Sequence, residues 1–296
     1  MFPLPLLLAA TGSAMPPWPP AAAVAAGVVV GLSLGLTGGG GAIFAVPLLV
    51  YWIGVEPTTA VGISLLTVAT TAAVGVVERW RYGQVEWPTG LLFAAAGMLT
   101  APLGSWLGNQ IPEQPLLISF ALLMLVIAFR MWRKARDVEE RLPPADVGAG
   151  SGPACRRDPE GKLRLTSRCA TVLGIVGLLV GLLSGLYGVG GGFLIVPALV
   201  TFAAMGVPRA VGTSLLVMTL VGISGVSAHA FAGREIPLPI AGGFVAGSIP
   251  GLFLGSAIGR RLTGPLLARL FAIAIVLVAA FVIGREVLGS CYPHSP

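Results

Sequence analysis

Residues 187–197 read Tyr-Gly-Val-Gly-Gly-Gly-Phe-Leu-Ile-Val-Pro, with apolar "GIVGLLVGLLSGL" before them and "ALVTFAAMGV" after them. Four glycines and a proline loosen or break helices, yet they sit in a stretch fit for lipid. The setting extends to the whole chain. Of its 296 residues 55% are hydrophobic and 10% are charged, where a soluble domain carries about 25% charged residues. Runs such as "LLFAAAGMLTAPLGSWLG" and "LLARLFAIAIVLVAAFVIG" reach the roughly 20 residues that cross a hydrocarbon core. They lack the period-2 alternation of a barrel. The composition predicts an all-α integral membrane protein.

The broken stretch has a copy. "GLTGGGGAIFAVPLLV" from Gly35 matches "GLYGVGGGFLIVPALV" from Gly185 at an offset of 150 residues. At the same offset "AVGISLL" from Ala60 falls on "AVGTSLL" from Ala210, and "PLL" at Pro115 on "PLL" at Pro265. With one residue of drift "LGSWLG" at Leu103 falls on "LGSAIG" at Leu254. The chain therefore reads as two homologous repeats, residues 20–133 and 170–286, each a Gly-broken, re-entrant helix pair followed by three transmembrane helices. The spans fall near 21–54, 58–78, 87–108 and 115–133, and near 170–205, 210–230, 238–259 and 265–285. Residues 1–19 form a lead-in without a basic signal region, and 287–296 a tail. Between the repeats lies a Pro-, Gly- and charge-rich linker, 134–169. Ten of the 18 Lys and Arg residues lie between Arg130 and Arg168. This concentration marks a cytoplasmic segment rather than a nucleic-acid surface. Without CxxC spacing, Cys155 and Cys169 read as free thiols on that reducing side.

Charge sets the orientation. With the linker inside, Arg79 and Arg81 are also inside, and the loops "GVEPT" and "NQIPEQ" outside carry no Lys or Arg. If each broken segment returns to the side it came from, Arg209, Arg260 and Arg261 are inside as well. That choice satisfies the positive-inside rule. Three full crossings per half then invert one half relative to the other, as in secondary transporters.

A mid-membrane break frees N–H and C=O groups, which is tolerable only where they line a cavity or are buried in protein. The half-helices starting near Ala42 and Phe193 would aim free N–H groups and a positive dipole end into that cavity. Glycines would let a ligand approach the amides closely. Facing each other, the breaks would form an anion-favouring pocket of Gly38, Gly39, Gly40 and Gly41 with Gly188, Gly190, Gly191 and Gly192. Close packing of small residues is the competing explanation of the glycines. Pro47 and Pro197 would kink the half-helices. Ser64, Thr213 and Ser214 would add hydroxyl donors, or else bond their own helices' carbonyls. Thr37 and Tyr187 share one repeat position beside the glycines, where Tyr187 closes the pocket or packs.

The span interiors hold no Asp, Glu or Lys, so the carboxylate chain of a proton pump is missing. His229 ends a span and reads as solvated or packed. A membrane enzyme would need a nucleophile–base pair or metal cluster, for which the chain offers two His and, in the spans, no paired acids. The reading is therefore a permease rather than an enzyme, without cofactor or metal, with a small anion and the lipid bilayer as its partners. Small residues on the spans permit a homodimer. An anion leaving a negative-inside cell gains about 2.3 kcal/mol per charge per 100 mV, which favours export.

With these motifs in place, the chain resembles the sulfite exporter TauE/SafE family of bacterial membrane permeases. The resemblance runs from about Gly27 to Arg285, the linker excepted. It rests on "GLYGVGGGFLIVPALV" with "AVGTSLL", on their first-half copies, on the Gly-x-Val of Gly83 to Val85, and on "LGSAIGRRL". It implies a multi-pass protein of the bacterial inner membrane that moves small sulfur-containing anions: sulfite, organosulfonates or thiosulfate. Two features depart from the pattern: the long basic linker, and Ile63 where the second half has Thr213. Another anion, a metal cation, and a non-transporting scaffold or sensor are the alternatives.

Overall fold

The computed structural model describes residues 20–39, 41–108, 110–140, 156–157, 163–164, 167–188, 192–203, 205–234, 236–259, 273 and 275–284. Gly40, Gly190 and Gly191, the lead-in, the tail and most of the linker lie outside them. Among the described residues the chain is helical: α1 (Pro20–Thr37), α2 (Ala42–Pro47), α3 (Pro57–Arg81), α4 (Trp87–Gly108), α5 (Glu113–Glu140), α6 (Ser167–Tyr187), α7 (Gly192–Phe202), α8 (Val207–Phe231), α9 (Leu238–Gly259) and α10 (Ile275–Gly284). A two-residue antiparallel ladder, Arg156–Arg157 with Leu163–Arg164, lies within the linker.

Among the described residues five helices are long and apolar enough to cross a membrane: α3, α4, Cys169–Tyr187 of α6, α8 and α9. By length and composition they suit a chain that crosses the membrane several times. In α3 and α8 the apolar windows are 72% and 67% buried, against 39% in α4, α6 and α9. Hence α3 and α8 form the centre and the others face lipid. Trp80, Tyr82 and Trp87 are exposed around the α3–α4 turn, where amphipathic rings meet the headgroups.

Several boundaries extend past the sequence reading. α8 begins at Val207 rather than near 210 and α3 at Pro57, because each carries proline in its first turn, where the missing N–H is no loss. α5 runs on through charged residues to Glu140, beyond the expected end near 133. After Pro47 the helix continues as a π-helical stretch, Leu48–Trp52.

Glycine sets how closely the peripheral helices approach. A Cβ on Gly27, Gly31 or Gly35 of α1 would come within 2.2, 1.9 and 2.2 Å of the carbonyl oxygens of Phe244, Ser248 and Leu252 on α9. The residue numbers rise together, so α1 and α9 are parallel. Gly181 and Gly185 of α6 meet the Gly97 and Ala101 carbonyls of α4 in the same way, at 2.2 and 1.9 Å. These are backbone-to-backbone contacts of the small-xxx-small kind. The packing explanation thus holds for the glycines within the helices. In the central pair Gly62 lies against His229, Gly75 against Leu215, and Gly222 against Ala69. One number rises as the other falls, so α3 and α8 are antiparallel. Polar contacts tie α3 to α9, with Thr71 Oγ1 2.6 Å from Ser248 Oγ and Ser256 donating to Glu78 at 3.0 Å.

One cysteine reading is corrected. Cys169 is disulfide-bonded, not a free thiol. The other two cysteines, Cys155 and Cys291, lie outside the described residues.

Candidate functional site

α1 and α6 both stop at glycine in the left-handed region: Gly38 has φ +72° and Gly188 φ +67°. The Gly38 N–H donates to Leu34 O at 2.7 Å and the Gly188 N–H to Ser184 O at 2.9 Å, the single bond of an αL helix end. Space also demands glycine here. A Cβ on Gly38 would lie 2.7 Å from Val211 Cβ, and one on Gly188 2.7 Å from Val61 Cα.

Those valines introduce the two serines. Ser64 Oγ donates to Gly188 O at 2.6 Å, and Ser214 Oγ to Gly38 O at 2.5 Å. Both serines are fully buried. Ser214 shares its proton with Val211 O at 2.7 Å. So Val61-Gly62-Ile63-Ser64 on α3 holds the end of α6, while Val211-Gly212-Thr213-Ser214 on α8 holds the end of α1. Each break is gripped from the opposite half of the chain.

The breaks also meet each other. A Cβ on Gly39 would fall 2.3 Å from Gly192 O and 2.8 Å from Gly192 Cα. Gly41 lies against Val30 O and Leu34 N, each 2.3 Å from its notional Cβ. Gly41 thus packs back against α1. α7 opens at Gly192, and its first amides have no partner within their own helix. Met218, fully buried, flanks Gly192 on the α8 side.

The other hydroxyls named from sequence point elsewhere. Thr37 Oγ1 donates to Ser33 O of its own helix at 2.8 Å. The Tyr187 hydroxyl donates to Ser119 Oγ on α5 at 3.1 Å, and its ring packs on Phe120 with centroids 5.3 Å apart. Thr213 Oγ1 accepts the Glu86 N–H at 3.0 Å, capping the start of α4. Ile63, which matches Thr213 at the 150-residue offset, lacks that hydroxyl. The extra hydroxyl serves a helix start rather than the breaks. Ser64 and Ser214 have also given their one proton to carbonyls, so they hold the glycines and leave donation to the backbone. Sequence reasoning missed Val61, Val211 and Met218. The repeated Val-Gly-x-Ser pattern was the available signal for the two valines.

The model of the sulfite exporter TauE/SafE family matches residues 23–282. A "Probable membrane transporter protein" of Xylella fastidiosa (strain Temecula1) is 35% identical over 267 residues, covering 89% of this chain and 94% of its own length. "Probable membrane transporter protein YunE" of Bacillus subtilis is 26% identical over 262 residues, covering 86% and 94%. An archaeal relative, "Probable membrane transporter protein MJ0441" of Methanocaldococcus jannaschii, is 26% identical over 215 residues, covering 71% and 72%. No solved structure gives a significant match.

Proposed function

The chain belongs to the sulfite exporter TauE/SafE family, a membrane transporter family, and from that premise we propose that it is a permease exporting sulfite or an organosulfonate. The substrate would bind near the midplane between the two glycine breaks and be released by alternating access. The observation that carries the reading is the backbone contact of Gly39 with Gly192. It brings two interrupted helices, one from each repeat, to a single point. Interrupted helices meeting at a repeat interface are where secondary transporters build their sites. Backbone N–H groups and helix N-termini suit a compact oxyanion.

In this reading Gly38, Gly39, Gly40 and Gly41 line one side, and Gly188, Gly190, Gly191 and Gly192 the other. Ser64 and Ser214 hold the breaks in register. Thr37, Tyr187 and Thr213, committed to Ser33, Ser119 and Glu86, drop out of the donor set. The inverted repeat is part of the proposal. α3 and α8 correspond at the 150-residue offset and run in opposite directions, as inversion requires.

Charge places the linker in the cytoplasm. The disulfide at Cys169 pulls the other way, since such bonds belong to oxidising compartments.

The direct test is flux. Proteoliposomes holding the purified chain should release labelled sulfite faster than empty vesicles, with organosulfonates competing and divalent cations without effect. Release at the rate of empty vesicles for every sulfur anion would sink the proposal.

A further inference from the structure

His229 closes α8, where the sequence alone suggests a solvated or packed side chain. In the structure it is 2% exposed, and neither Nδ1 nor Nε2 has a hydrogen-bond partner. A neutral imidazole carries one N–H donor and one lone pair, and native proteins rarely leave such buried groups unmatched. The ring lies edge-on to Gly62, where a Cβ would meet Nε2 at 2.6 Å. Gly62 is one residue, and so about 100° of helix turn, from Val61, which packs on Gly188; Ser64, bonded to Gly188 O at 2.6 Å, is two residues further on. His229 therefore sits at the depth of the second break, about 100° round α3 from the residue that packs on Gly188.

The other repeat carries the counterpart. Arg79 lies 150 residues earlier, and its Cβ is 3.3 Å from the notional Cβ of Gly212. Gly212 belongs to the tetrad that holds Gly38. A basic side chain thus stands beside each tetrad glycine, contributed by the end of the opposite central helix. Arg79 Nη1 donates to Gln84 Oε1 at 2.8 Å; the imidazole has no such partner.

We propose that His229 is a substrate-contacting residue whose ring N–H donates to the oxyanion as it passes Gly188. The inference rests on the oxyanion reading above. A metal ion fits the position poorly: among the described residues no three of His, Cys, Asp and Glu gather. The Arg234 N–H donates to His229 O at 3.4 Å, which sets a cationic residue close by.

The test uses the full chain with sulfite as probe. His229→Leu and His229→Met should each weaken sulfite binding about tenfold or more, the worth of a hydrogen bond to a charged group. His229→Gln, which keeps an N–H, should stay within about threefold. Apolar variants that bind like the parent, or a Gln variant as weak as they are, would overturn the inference. A second measurement is independent of variant folding. His294→Asn leaves His229 as the only histidine, and its ring nitrogen resonances should move when sulfite is added. Silent resonances in a chain that binds sulfite would remove this inference alone. A chain that binds no sulfur oxyanion would remove the permease reading as well.

Discussion

At the scale of the residue, Gly38 and Gly188 are fixed twice, by backbone angle and by contact. Alanine there meets the left-handed penalty of about 1–2 kcal/mol and, in addition, overlaps Val211 or Val61. Gly188→Ala should therefore lower thermal stability by more than the penalty alone, as read by the unfolding temperature in detergent. Ser64→Ala and Ser214→Ala leave a buried carbonyl without its donor, costing about 1–3 kcal/mol each, and should weaken anion binding because the breaks lose register. Thr213→Val should also destabilise, through the freed Glu86 N–H, yet leave anion binding unchanged. Equal binding losses at positions 213 and 214 would contradict this division of labour. The sequence made the serines and glycines visible as a repeated set. It could not show where each hydroxyl points, because Thr213 and Ser214 are neighbours in the chain that serve different helices.

Between elements, the glycine rows of α1 with α9 and of α6 with α4 let backbones touch. Lipid supplies no hydrophobic drive between helices, so close packing must carry the association. Gly31→Leu should prevent α1 from seating, since even a Cβ would lie 1.9 Å from Ser248 O. The expected outcome is loss of a monodisperse peak in size-exclusion chromatography, whereas Gly174→Leu, whose notional Cβ has nothing within 4 Å, should elute like the parent. Helix positions were legible because apolar runs mark them, and α4 and α9 match the expected 87–108 and 238–259. Helix partners were not legible. A 150-residue offset pairs matching stretches of sequence, but does not tell that α1 packs on α9.

For the molecule as a whole, that packing binds the two halves of the chain into one body, with α3 and α8 at the centre. Its orientation can be read by labelling. In a chain whose natural cysteines are replaced by serine, Gln110→Cys should react with an impermeant maleimide from outside the cell and Tyr82→Cys only after lysis. The reverse pattern would place the linker, and the disulfide at Cys169, on the outer side. The central claim is that a sulfur oxyanion binds between the glycine breaks. Its most direct test is the thermal stability of purified protein against sulfite, thiosulfate, sulfoacetate, taurine, sulfate, nitrate and phosphate. A ligand at 100 times its Kd adds about 2.7 kcal/mol to the folded state. The account predicts that stabilisation for one or two sulfur anions, and its loss in a folded Gly39→Ala chain. An unchanged unfolding temperature across the whole panel would contradict it and reduce the breaks to packing.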